Sequence, residues 1–128
     1  MKRRNFIISA LIVGTGLPAV YYLEKHKGGE KALSTPDLLS RFCNEMELKE
    51  IGEKYRKNVP LEAESQKLKL LLLTDQSGKM IKSSDKVLVD ELMSKKTLED
   101  FNAYNTITIN GWVISITEAR QCALFSLT

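Results

Sequence analysis

The chain has 128 residues, 43% of them hydrophobic and 27% charged, with 7 glycines and 3 prolines. That composition fits one compact domain with a short appendage and excludes a chain disordered throughout. Of its 19 basic residues, Lys2, Arg3 and Arg4 precede residue 24. All 16 acidic residues lie at or beyond that point, so the remainder is neutral despite the formal charge of +3. A nucleic-acid binder needs surplus cations on its domain to neutralise phosphates, and that class is excluded.

The first element is Met1-Lys2-Arg3-Arg4-Asn5-Phe6-Ile7-Ile8, two adjacent arginines ahead of a polar residue, an aromatic and aliphatics. It resembles the twin-arginine export signature, in which Arg3, Arg4 and Phe6 would be read by the translocase. From Phe6 to Leu23 follow 18 uncharged residues, diluted by Ser9, Gly14, Thr15, Gly16 and Pro18. Mild hydrophobicity of this kind suits a signal core. At ~1.5 Å per residue the stretch also reaches ~27 Å as a helix, so an uncleaved anchor in the membrane is the other reading. A clean A-x-A cleavage site is missing; Ala32-Leu33-Ser34 is the nearest match. Residues 1–23 are thus a signal or anchor helix. Residues 24–34, with Gly28-Gly29 and the sole histidine His26, read as a linker.

The domain is expected over residues 35–128, mainly α: a small bundle of four to six short helices with one β-hairpin before the C-terminal helix. Thr35-Pro36-Asp37 has the cap, proline and acid of a helix start, with Leu38, Leu39 and Phe42 on its apolar side. A second start at Asn44, with Glu45 and Glu47, leads into Leu48, Ile51 and Tyr55 at helical spacing. Lys54, Arg56 and Lys57 suit its C-terminal end, and Val59-Pro60 stops it. A third helix spans Glu62 to Leu73, its four-leucine run packing in the core. Asp75-Gln76-Ser77-Gly78-Lys79 is a turn without the alternating acids and closing Glu of a calcium loop. A fourth helix begins near Ser84-Asp85 and turns Val87, Leu88, Leu92 and Met93 inward; a fifth begins at Thr97, with Leu98 and Phe101. Then Thr106-Ile107-Thr108-Ile109, Asn110-Gly111 and Trp112-Val113-Ile114 form a hairpin signal. Ser115-Ile116-Thr117-Glu118 is a capping box opening the last helix.

Chemistry-bearing motifs are missing. There is no G-x-G-x-x-G after a strand, no C-x-x-C-H, and no histidine in the domain for a Ser-His-Asp or Cys-His site. Cys43 and Cys122 are too few for a disulfide framework and read as buried thiols, with pairing in an oxidising compartment the alternative. Adjacent carboxylates such as Asp90-Glu91 and Glu99-Asp100 point apart on a helix.

The stretch Asn110-Gly111-Trp112-Val113-Ile114-Ser115-Ile116-Thr117-Glu118-Ala119-Arg120-Gln121-Cys122-Ala123-Leu124 is similar to the closing motif of the gluconate 2-dehydrogenase subunit 3 family. These are small twin-arginine-bearing subunits of membrane-bound flavin dehydrogenases of the glucose–methanol–choline class. The resemblance covers the signal and residues 110–127; between them only size and helical character agree. It implies a non-catalytic accessory subunit with no cofactor of its own. Such a subunit binds and helps mature a large FAD-carrying sugar or polyol dehydrogenase, often accompanied by a cytochrome c subunit. It escorts that partner, folded, to the periplasmic side of the inner membrane. Trp112, Thr117, Glu118, Arg120 and Cys122 would be the matched residues, facing the partner or holding the local fold. From the residues alone, Trp112 also suits this domain's own core and Ser115 and Glu118 suit a cap. Arg120 cannot reach Glu118 two positions away and needs another partner, internal or across an interface. A stand-alone, membrane-anchored envelope assembly or structural protein is the alternative reading.

Overall fold

The computed structural model describes residues 31–128. Arg3, Arg4, Phe6, the apolar stretch 6–23 and the linker as far as Glu30 lie outside the described residues. The elements are α1 (Glu45–Asn58), α2 (Ser65–Leu73), α3 (Lys86–Asn102), β1 (Thr106–Ile109), β2 (Trp112–Ser115) and α4 (Ile116–Phe125), with 3-10 turns at Leu39–Arg41 and Pro60–Glu62. The mainly helical fold with a two-stranded hairpin ahead of the last helix is the one the sequence predicts. Among the described residues no helix is long and apolar enough to cross a membrane.

The packed domain starts earlier than residue 35. Residues 31–34 are helical, Leu33 is wholly buried in the core, and the Ala32 carbonyl accepts a hydrogen bond from Gln121 Nε2 at 3.2 Å. The last four residues assigned to the linker therefore belong to the domain. The helix expected from Thr35 shrinks to the single turn Leu39–Arg41, whose first residue has no side-chain cap. It buries Leu39 but leaves Leu38 and Phe42 exposed. The cause is the next start. Asn44 Oδ1 accepts from the Glu47 amide, and Glu47 Oε1 accepts from the Asn44 amide, each at 2.8 Å. That reciprocal box fixes where α1 begins and leaves room for one turn before it.

Helix α1 turns Leu48, Ile51, Gly52 and Tyr55 inward. In α2 the phase of the helix splits the leucine run, so Leu72 and Leu73 are buried and Leu70 is exposed. The C-terminal carbonyls of α2 are satisfied by Lys96, whose Nζ donates to Leu71, Leu72 and Thr74. A helix end leaves such carbonyls without internal partners, and a cation there also meets the negative end of the dipole. The expected fourth and fifth helices are one. Asp85 caps α3 through the Leu88 amide, and no glycine or proline breaks the chain at Thr97. Its buried residues are Val89, Leu92 and Met93; Val87, expected inward, is exposed, as are Leu98 and Phe101.

The hairpin pairs Thr106 with Ser115, Ile107 with Ile114, Thr108 with Val113, and Ile109 with Trp112. Asn110 and Gly111 both have positive φ, 54° and 82°, as a two-residue turn of matching twist requires. Lys54 Nζ on α1 donates to Asn110 Oδ1 and holds the tip.

Helix α4 is the centre. It packs against α1, α2, α3 and both strands, and Thr117, Glu118, Ala119, Gln121, Cys122, Ala123 and Leu124 are all buried. The crossing with α1 is very close: a Cβ added at Gly52 would sit 2.0 Å from the Cys122 carbonyl oxygen. Gly52→Ala should therefore push the two helices apart and lower the unfolding free energy by about 3 kcal/mol in a urea titration. An unchanged midpoint would contradict so close a crossing.

Candidate partner-binding site

The five motif residues divide into four that hold the fold and one at the surface. Thr117 is buried; its amide and hydroxyl donate to Asp100 Oδ2 at 2.8 and 2.6 Å, tying α4 to the end of α3. Glu118, also buried, closes the predicted capping box: Ser115 N donates to Glu118 Oε1 and Glu118 N to Ser115 Oγ, both at 3.0 Å. Cys122 lies at the α1–α4 crossing and, like Cys43, is a free buried thiol. Burial pushes the Cys122 thiol far up, with the nearby Glu118 charge adding to it, so it stays protonated and unreactive. Burial, then Glu47, raises Cys43 as well.

Arg120 finds its partner within the chain. Nε and Nη2 donate to Glu62 Oε1 and Oε2 at 2.8 and 3.1 Å, a two-pronged pair, and Tyr55 OH donates to Glu62 Oε1 at 2.7 Å. Burial alone would raise Glu62. The hydrogen bonds from Arg120 and Tyr55 outweigh it and hold the carboxyl below its usual range. Burial and the bond to Glu62 push Tyr55 up to about 12. Of these groups the sequence marks only Arg120. Tyr55 reads as a core aromatic and Glu62 as the start of a helix, and 58 positions separate Glu62 from Arg120.

A cleft of about 700 Å³ opens beside this network, walled by Leu71, Asp75, Lys96, Asp100 and Arg120 among others. Burial, reinforced by Arg120, brings the Lys96 ammonium down to about 8. A lysine in that range is a nucleophile when its nitrogen is free, yet here Nζ faces three carbonyl oxygens and caps α2. Asp100 is likewise committed, to Thr117 and Asn105. The arrangement braces helices. Among the described residues no group of three or more His, Cys, Asp and Glu could hold a metal ion.

Trp112 differs from the other four. It stands at the start of β2 with 36% of its surface exposed, and its ring lies 6.4 Å from that of Phe42, which is 66% exposed. Phe42, on the apolar side of the helix that the sequence predicts from Thr35, follows the single turn Leu39–Arg41 and stands exposed beside Trp112. Met46 and Val113, nearby in sequence, are exposed as well. No family model matches the chain, and no curated protein or solved structure matches it either. An exposed tryptophan supported by a second aromatic has the character of a protein-binding anchor, since large rigid rings contribute much contact area at little entropic loss.

The Arg120–Glu62 pair sets an acid limb. Because Glu62 titrates lower in the folded chain than in the unfolded one, its contribution is complete above about pH 4.5 and fades as pH falls through the folded value. Denaturant midpoints measured from pH 7 to pH 3 should drop in that window, and Glu62→Gln should flatten the drop. Arg120→Ala should lower stability by about 2 kcal/mol at neutral pH, because it strands a half-buried carboxylate. A variant as stable as the parent would show that Glu62 needs no such partner.

Proposed function

We propose that the chain is a non-catalytic small subunit that binds a large flavin-dependent sugar or polyol dehydrogenase, helps it mature and escorts it, folded, through twin-arginine export. The observation that carries this reading is the Phe42–Trp112 pair, with its tryptophan inside the motif that resembles the closing segment of such subunits. Trp112 and the more exposed Phe42 present two aromatic rings side by side at one surface. In this reading Trp112 is the anchor for the partner. Thr117, Glu118, Arg120 and Cys122 act through the fold, by fixing α4 and with it the root of the hairpin. Arg3 and Arg4 supply the address for both proteins, the FAD stays on the partner, and the complex works at the periplasmic face of the inner membrane, anchored through residues 6–23 where the signal is retained.

Three experiments test this. Purified from its native cells, the chain should bring down a much larger yellow flavoprotein, and it should show no dehydrogenase activity alone. Trp112→Ala should weaken that association by roughly 30-fold or more, with Phe42→Ala smaller in effect, while the melting temperature moves little. Undiminished binding would remove Trp112 from the interface. Changing Arg3 and Arg4 together to Lys should leave the flavoprotein in the cytoplasmic fraction; unchanged export of the flavoprotein would refute the escort role.

A further inference from the structure

The triplet nearest to a signal-peptidase site is Ala32-Leu33-Ser34, and it lies inside the folded domain. Residues 31–34 are helical, with the Ser34 hydroxyl donating to the Lys31 carbonyl at 3.3 Å. Leu33 is wholly buried, and Ser34 is 7% exposed. The Ala32 carbonyl is held by the amide of Gln121, itself buried in α4. The far side of the bond after Ser34 is fixed too. Pro36 is among the fully buried side chains, and its carbonyl accepts from the Ser40 amide at 3.0 Å.

A peptidase draws several residues on both sides of the scissile bond into an extended strand within its own cleft. Susceptibility therefore follows the burial and hydrogen bonding of the backbone rather than the letters of the site. Freeing residues 32–36 here would pull Leu33 out of the core and leave the Gln121 amide and the Ala32 carbonyl without each other. The order of events decides the outcome. A chain threaded unfolded meets the peptidase with this triplet open. A chain exported by the twin-arginine route has folded beforehand and meets it closed.

We propose that the fold itself closes the Ala32-Leu33-Ser34 site, so that the mature protein keeps residues 31–34 as part of its domain and any cut falls upstream of Lys31. The inference rests on the export reading for its setting, while its structural premise stands independently.

Intact-mass measurement of the protein isolated from the envelope fraction tests the cut. A species that is uncut, or that begins at or before Lys31, is expected; one beginning at Ala32 or any later residue overturns the proposal. The premise is tested on the purified full chain without any export. Leu33→Ala should lower the melting temperature by roughly 10 °C, and Leu33→Val by a few degrees, as losses from a packed core do. Unchanged melting of both variants means that residues 31–34 are not part of the domain and overturns the proposal even if the chain is exported. Absence of the protein from the envelope would instead count against the escort reading, and the melting comparison would still decide this one.

Discussion

The close crossing of α1 and α4 at Gly52 sets the terms for the rest of the molecule. Backbone meets backbone there, and only a residue without a Cβ permits it. Bringing α4 so deep buries polar groups on its first two turns, and each has to be satisfied from elsewhere. Ser115 and Glu118 satisfy one another, Thr117 turns to Asp100, and Gln121 turns to the Ala32 carbonyl. Arg120, one step round the helix, reaches Glu62 and through it Tyr55. A single helix thereby gathers residues from nearly every other element into one polar collar around an apolar core.

What could be read from the sequence was whatever is decided within a few residues. Asn110-Gly111 accepts positive φ and fixes the hairpin register. Ser115 and Glu118 form the predicted box, and Val59-Pro60 ends α1 where expected. The failures have a common cause in non-local demand. Thr35-Pro36-Asp37 carries good start signals, but the Asn44 box follows too closely and Pro36 is drawn into the core. Thr97 looked like a cap, yet nothing interrupts α3, and its Lys96 is needed at the end of α2. The glycines at 28 and 29 suggested a linker reaching Ser34, whereas Leu33 has its place in the core and Gln121, 89 positions away, holds the Ala32 backbone. The candidate site was legible to the same extent. Its motif residues could be named, but which of them are internal depends on Glu62 and Asp100, and neither is marked by any local pattern.

That division changes how the motif is understood. Such a string invites the idea that each residue touches a partner. Here four of the five positions hold a helix in place, and the fifth sits on the strand that leads into it. The proposed role asks little chemistry of the domain and much rigidity: a surface presented in one geometry, with the charged groups behind it already paired.

The hairpin tip shows how that rigidity would act in an encounter. Asn110 is fastened to Lys54 on α1, the turn conformation is one that Asn and Gly adopt with little strain, and Phe42 lies against the indole. Trp112 is therefore set between a fastened turn and a second aromatic ring. A ring carried on such a turn has less ordering to undergo on contact than one on an unfastened loop, so more of its contact area would count toward binding.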